Sequence, residues 1–351
     1  MSEYSISRIY PSDKAGLERV DRLLEQEGIR RDANLDYTCG IYDEELELIA
    51  TGSCFGNTLR CLAVDSQHQG EGLMNQIVSH LSEVQYERGN YHQFLYTKIS
   101  TAKFFGDLGF YEIARVDDRL VFMENKRTGF SDYLSSLERS RRSGSSAAIV
   151  MNANPFTLGH LYLVETAAAA YDWVHVFVVS EDSSLFPFSV RKELVEKGTS
   201  QLENVICHES GPYIISNATF PSYFLRDKED VIESHARLDA RIFIRIAEAL
   251  GISARYVGEE PTSLVTGIYN RVLSEELPKK GIDCIIVPRR TCMADGDHMA
   301  VSASSVREAI KSGDSELLKL MLPRTTLDYL ESPEAEAVKE KIKASDQVRH
   351  Y

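Results

Sequence analysis

The apolar positions of this chain change their spacing near its middle. Before about residue 125 they fall into short alternating runs and amphipathic stretches. Lys14–Glu27 carries Leu17, Val20, Leu23 and Leu24 on one stripe, which predicts a helix. Strands are predicted at 37–42, 47–55 and 58–64, with turn residues between them. A helix is expected over 72–88, where Met74, Ile77, Val78, Leu81 and Val84 recur at helical spacing, then a strand at 94–97, a helix at 102–108 and late strands at 111–114 and 120–123.

After residue 145 the pattern becomes continuous β-branched runs separated by helical stretches. The runs are AAIVM (147–151), WVHVFVVS (173–180), NVICH (204–208), ARYVG (254–258) and DCIIVP (283–288). The helical stretches are 159–171, 189–201, 238–250, 265–280 and 303–311, with a final helix at 315–330. Strands apolar on both faces and alternating with helices predict a parallel sheet covered on both sides. Between the two regimes KRTGFSDYLSSLERSRRSGSS (126–146) passes from a short helical segment into Arg, Ser and Gly, as a connector would. The expected organisation is an α+β domain at 1–125, a linker at 126–145, a Rossmann-like α/β domain at 146–330 and a charged tail at 331–351.

Composition narrows the class. With 43% apolar and 26% charged residues in 351, the chain reads as an ordinary globular protein of two domains. A formal charge of −14 argues against general nucleic-acid binding. The six cysteines are scattered without metal-ligand spacing, as expected of reduced thiols in a cytoplasmic protein. No apolar run reaches membrane-spanning length, and the first residues lack the pattern of a signal peptide, so no membrane association is expected.

Two segments of the second region carry candidate chemistry. The first strand runs into NANPFTLGH and then a helix, so Asn154, Pro155, Thr157, Gly159 and His160 lie at a strand's carboxyl end, where parallel sheets bind ligands. Helix-start amides form an anion site there, Gly159 permits close approach, and Thr157 and His160 can face one phosphate chain. The same residues also read as a threonine cap and a packed histidine. The second segment, VSASSVREAI (301–310), again opens a helix, with Ser302, Ser304 and Ser305 as hydroxyl donors and Arg307 as a countercharge, or else as a serine cap with a solvated arginine. Arg191 and Lys192, at the start of the helix after the second strand, are further phosphate candidates or plain surface cations. Glu259, Glu260 and Asn270 flank the fourth strand and are candidates for the pocket wall, or else surface and capping residues.

Pro155, Thr157, Gly159 and His160, followed by Val301, Ser302, Ser304 and Arg307, resemble the two signatures of the nucleotidyltransferase superfamily. Met151 and Ala153 depart from its first glycine and phenylalanine, and Ala303 from a serine. The longer strings VMNANPFTLGHLYLVE, LDARIFIRIAEALGI, VGEEPTSLVTGIYN and SASSVREAI resemble the citrate lyase ligase family. That resemblance implies ATP and Mg²⁺ as cofactors, and acetate and the acyl carrier subunit of citrate lyase as partners. The implied reaction forms acetyl-adenylate, releases pyrophosphate, and passes the acetyl group to the thiol of a CoA-like arm with release of AMP. It assigns α-phosphate stabilisation to His160 with Thr157, and the leaving phosphates to Ser302, Ser304, Ser305 and Arg307.

In the first region LRCLAVDSQHQGEGLMNQIV places Gln67, Gly70 and Gly72 in the pattern Q/R-x-x-G-x-G/A. This resembles the diphosphate loop of GNAT acetyltransferases, as TAKFFGDLGFYEI resembles their later segment. The N-terminal domain is thus expected to be GNAT-like, either a working acetyltransferase or a module that only holds the CoA-like arm, through those three residues. Tyr91, Tyr96 and Tyr111 are candidate general acids or strand packing residues. Two other functions stay open: an adenylyltransferase acting on a phosphorylated metabolite such as pantetheine phosphate, and a GNAT acetyltransferase with an ATP-sensing domain.

Overall fold

A computed structural model describes residues 4–181, 184–214, 220, 228–259, 264–294 and 297–345. The chain divides into two compact units, Met1–Phe130 with Phe220–Leu238, and Ser131–Thr219 with Asp239–Tyr351. The segment 220–238, expected with the second domain, therefore groups with the first.

The first unit is built on a mixed sheet of seven strands: β1 Ile6–Arg8, β2 Tyr37–Tyr42, β3 Leu48–Phe55, β4 Thr58–Val64, β5 Phe94–Thr97, β6 Tyr111–Val116 and β7 Leu120–Glu124, in the order 1-2-3-4-5-7-6. Every pairing is antiparallel except β4 with β5. That parallel pair is matched only at Thr58↔Phe94 and Leu59↔Leu95, so the two strands separate toward Val64 and Thr97. Loss of pairing there opens the middle of the sheet and frees backbone groups for a ligand. Helix Leu73–Glu87 packs Leu73, Ile77, Val78 and Leu81 onto the sheet's core. This splayed α+β arrangement is GNAT-like. The short β1, with only three residues, is too brief for its alternation to register in sequence.

The second unit holds a parallel five-stranded sheet: β8 Ser146–Met151, β9 Trp173–Val178, β10 Val205–Glu209, β11 Ala254–Gly258 and β12 Asp283–Val287, in the order 10-9-8-11-12. From β8 the chain moves outward through β9 and β10, then returns to the other side of β8 as β11 and β12. The crevice outside the carboxyl ends of β8 and β11 is thus the switch point at which such sheets bind ligands. Helices Leu158–Ala168 and Phe188–Thr199 contribute Leu161, Val164, Leu194 and Val195 to the same core as Ile149, Val176 and Tyr256. A two-stranded hairpin, β13 Thr291–Ala294 and β14 Asp297–Ala300, follows β12.

Three expectations change after residue 227. The helix expected at 238–250 begins at Lys228. The single final helix is two, Ser315–Met321 and Arg324–Glu331, divided at Pro323, which cannot donate to a continuing helix. The segment 331–351, read as a tail, contains helix Glu336–Ala344, whose Val338 and Ile342 are buried with Leu185, Phe186, Val306 and Ile310. Its apolar stripe is only those two side chains, one turn apart among charges, which is why the sequence there reads as solvent-exposed.

Candidate functional site

The loop after β8, the turns after β11 and β12, and the start of helix Ala303–Ser312 surround one cavity of about 500 Å³. Asn154, Thr157, Gly159, His160, Ser302, Ser304 and Arg307 all line it, so the two sequence segments meet although about 150 residues apart.

Thr157 caps helix Leu158–Ala168, accepting from His160 N at 3.3 Å. In return the Thr157 backbone N–H donates to His160 Nδ1 at 3.1 Å. With Nδ1 acting as acceptor, the neutral imidazole carries its proton on Nε2. Desolvation, helped by the guanidiniums of Arg289 and Arg307, pushes His160 down to about 4, so the ring is a neutral donor at pH 7. It is the packed cap histidine, and it also lines the cavity. Phe156, fully buried, stacks beneath the imidazole at 5.9 Å between ring centres, and its carbonyl accepts from Thr326 Oγ1 at 3.0 Å.

Gly159 is explained by crowding. A Cβ there would lie 3.0 Å from the Val301 carbonyl oxygen, so the two motifs approach as closely as they do only with glycine. Ser302 caps helix Ala303–Ser312, accepting from Ser305 N at 3.0 Å, and its Oγ lies 3.0 Å from Ser304 Oγ and 2.8 Å from Ser305 Oγ. Ser302 and Ser304 face the cavity; Ser305 supports them without lining it.

Arg307 is not a solvated side chain. It is 3% exposed, and its Nη1 donates to the Asn154 carbonyl at 2.6 Å, joining the second motif to the first. Burial holds it down to about 10, still cationic at pH 7.

Arg191 and Lys192 do not line the cavity. Arg191 is fully buried and donates to the carbonyls of Asn152 (2.8 Å), Val179 (2.8 Å), Phe186 (3.1 Å) and Glu181, and to Asn152 Oδ1 (2.9 Å). Its guanidinium thus braces the loops that follow β8 and β9. Lys192 pairs on the surface with Glu209 at 2.6 Å. Pro155 is buried beside the cavity, Asn270 caps the end of β11 by donating to the Gly258 carbonyl at 3.1 Å, and Glu259 lines the wall. Glu260 lies outside the described residues.

Sequence reasoning missed Arg289, Arg290, Tyr162 and Thr266 in this wall. A usable signal existed for the arginines, which directly follow the last strand and so sit at its carboxyl end. Arg289 Nε donates to the Glu259 carbonyl at 3.1 Å, fixing the guanidinium stem.

In the first unit a second cavity, about 590 Å³, occupies the splay between β4 and β5. Its walls include Leu62, Val64, Met74, Tyr96, Phe104 and Phe105, with Gly70 and Gly72 at one end. Both glycines are left-handed, at φ 89° and 78°, and Gly72 starts helix Leu73–Glu87 without a side-chain cap. The first amides of that helix therefore have no capping side chain, as an anion site requires. Gln67 lies in the preceding turn, donating its backbone N–H to Asp65 Oδ1 at 2.8 Å, and does not line the cavity. Of the tyrosines, Tyr96 lines it, stacked on Phe122, whereas Tyr91 and Tyr111 are exposed elsewhere. The thiols of Cys39, Cys54 and Cys61 are buried and pushed up to about 12, so they are inert packing groups.

A Rossmann-like unit with a cleft of about 500 Å³ at its strand ends, combined with a splayed GNAT-like unit, defines a two-part α/β class. Comparison with known proteins gives it a family. The pattern of the citrate lyase ligase C-terminal domain matches residues 146–330. A [citrate [pro-3S]-lyase] ligase of Klebsiella pneumoniae is 38% identical over 91% of this chain and 93% of its own length. One from Haemophilus influenzae is 36% identical over 91% and 96%. The chain belongs to the citrate lyase ligase family. Among solved structures, Escherichia coli ElaA is similar at a TM-score of 0.31 with 14% identity, covering 35% of this chain and 99% of that one. Among the described residues no helix is long and apolar enough to cross a membrane.

Proposed function

We propose that this chain activates acetate with ATP and transfers the acetyl group to the thiol of a CoA-like arm on the acyl carrier subunit of citrate lyase. In the first step an acetate oxygen attacks the α-phosphorus, the bond to the bridging oxygen of the β-phosphate breaks, and pyrophosphate leaves. In the second the thiolate attacks the acetyl carbonyl and AMP departs; the thiol proton goes to solvent. Acetate is already ionised at neutral pH, so the first step needs no general base.

The observation that carries this reading is the convergence of two capped helix starts and a neutral, Nε2-protonated His160 on one cationic pocket. His160 Nε2–H stabilises charge developing on the α-phosphate. Ser302, Ser304 and the amides of helix Ala303–Ser312 hold the departing phosphates, with Arg307 and Arg289 supplying countercharge. Among the described residues no cluster of three or more His, Cys, Asp or Glu could hold a metal, so Mg²⁺ enters with the nucleotide it neutralises. The test is ATP–pyrophosphate exchange with and without acetate, and again with the carrier added; silence under all of these conditions favours an adenylyltransferase for a phosphorylated metabolite instead.

The splayed cavity of the first unit is assigned to the CoA-like arm. Its apolar walls suit the pantetheine chain, and the amides after Gly70 and Gly72 suit the diphosphate. Gly72→Glu is expected to abolish acetyl transfer to the arm, because its φ strains any L side chain and the new carboxylate repels the diphosphate. Acetate-dependent exchange is expected to continue. Gly72→Asn, which tolerates left-handed backbone, serves as the control for folding. Loss of exchange in a natively melting Gly72→Glu protein contradicts separate roles for the two cavities.

A further inference from the structure

The cavity of the first unit has a glycine loop at one end that brings no cation of its own. Residues 65–72, DSQHQGEG, include two carboxylates and neither lysine nor arginine. Glu71 stands between the two left-handed glycines, where it accepts from the Tyr4 hydroxyl at 3.1 Å and lies 3.2 Å from His68 Nδ1. Amides after Gly70 and Gly72 can bond phosphate oxygens, but they bring no formal charge to offset those of a diphosphate. The balancing charge has to come from another part of the wall.

Lys98 stands across the splay. β4 and β5 are parallel, so the loop 65–72 and Lys98, which leave their carboxyl ends, emerge at the same end of the opening. Lys98 lines the cavity, and among the described residues it is the one lysine or arginine in the wall and makes no ion pair. Its Nζ lies 4.0 Å from where a Cβ on Gly28 would stand, and Gly28 is flanked by the wall residues Glu27 and Ile29. Glu27 Oε1 accepts from the Ser66 N–H at 3.0 Å, so the ammonium group sits near the first turn of the loop. We infer that Lys98 is the countercharge for the diphosphate of the CoA-like arm and sets the preference for a phosphorylated arm. This assignment rests on the arm reading of the cavity above. Attraction between an ammonium group and phosphate oxygens is stronger in a partly enclosed site than in bulk water, and salt weakens it. Lys98 meets no reacting atom, so its effect falls on affinity for the arm and not on adenylate formation.

The experiment titrates the full-length chain with 3′-dephospho-CoA, whose only phosphates form the diphosphate, and with pantetheine, which has none. Wild type is expected to bind dephospho-CoA at least tenfold more tightly than pantetheine. Lys98→Met keeps an unbranched apolar stem and removes the charge. It is expected to weaken dephospho-CoA binding at least fivefold, to change pantetheine binding less than twofold, and to flatten the salt dependence. Lys98→Arg is expected to recover most of the loss. The side chain is exposed, so both variants are expected to melt as wild type does. Unchanged dephospho-CoA binding in Lys98→Met overturns the assignment. An equal loss of both ligands also overturns it, since the stem would then act by packing on the pantetheine chain. Failure of the arm reading is separate, because wild type then binds neither ligand, and the role of Lys98 falls with it.

Discussion

His160→Ala is expected to lower acetate-dependent exchange about 100-fold, the usual effect of removing one donor from a preorganised site. On the proposed mechanism the loss falls on kcat, since the imidazole is assigned to charge that develops only as the α-phosphorus is attacked. Stability falls by only about 1 kcal/mol, because Thr157 still caps the helix and only the reciprocal Thr157 N–H to Nδ1 bond disappears. The pH dependence follows from the same geometry. Burial and the nearby arginines hold the ring down to about 4, so it binds no proton between about pH 5.5 and 8, and the exchange rate shows no inflection there from this group. A rate that falls below pH 6.5 in wild type but not in His160→Gln contradicts the neutral-donor role. Unchanged turnover in His160→Ala removes the residue from the mechanism.

Arg191→Met is expected to act on stability instead. It strips buried carbonyls at Asn152, Val179, Glu181 and Phe186 of their shared donor. Stranding acceptors in a sealed position costs on the order of 3–5 kcal/mol, or about a 10 °C fall in melting temperature for a unit of this size. The ATP KM measured below the transition is expected to move little. An ATP KM raised tenfold with unchanged melting would instead restore Arg191 to the phosphate-binding set.

Arg191 also illustrates where sequence reasoning runs out. A basic residue at a helix start after the second strand fits an anion ligand, and nothing local distinguishes it from a brace. The distinction depends on where the chain path places the carbonyls of residues 152, 179, 181 and 186, and that is a tertiary property. By contrast, β8, β9, β10, β11 and β12 were legible because a doubly covered parallel sheet requires uninterrupted β-branched runs. The strand-end position of Thr157 and His160 followed from those runs, whereas Ser302 follows the hairpin β13–β14, whose two four-residue strands were not predicted, and the pairing of its segment with the first came from the superfamily resemblance. The start of helix Lys228–Leu250 was hidden because KEDVIESHARL places few apolar residues among its charges. Gln67 matched a loop pattern by residue type, yet only Gly70 and Gly72 reach the cavity, since the pattern works through backbone amides rather than the first side chain.

The C-terminal pocket is proposed to form an acyl-adenylate from acetate. ATP–pyrophosphate exchange in the full-length chain, run with and without acetate and then with the carrier added, tests it most directly. Exchange is expected only when acetate is present. Exchange of equal rate without acetate, or none under any of these conditions, contradicts it.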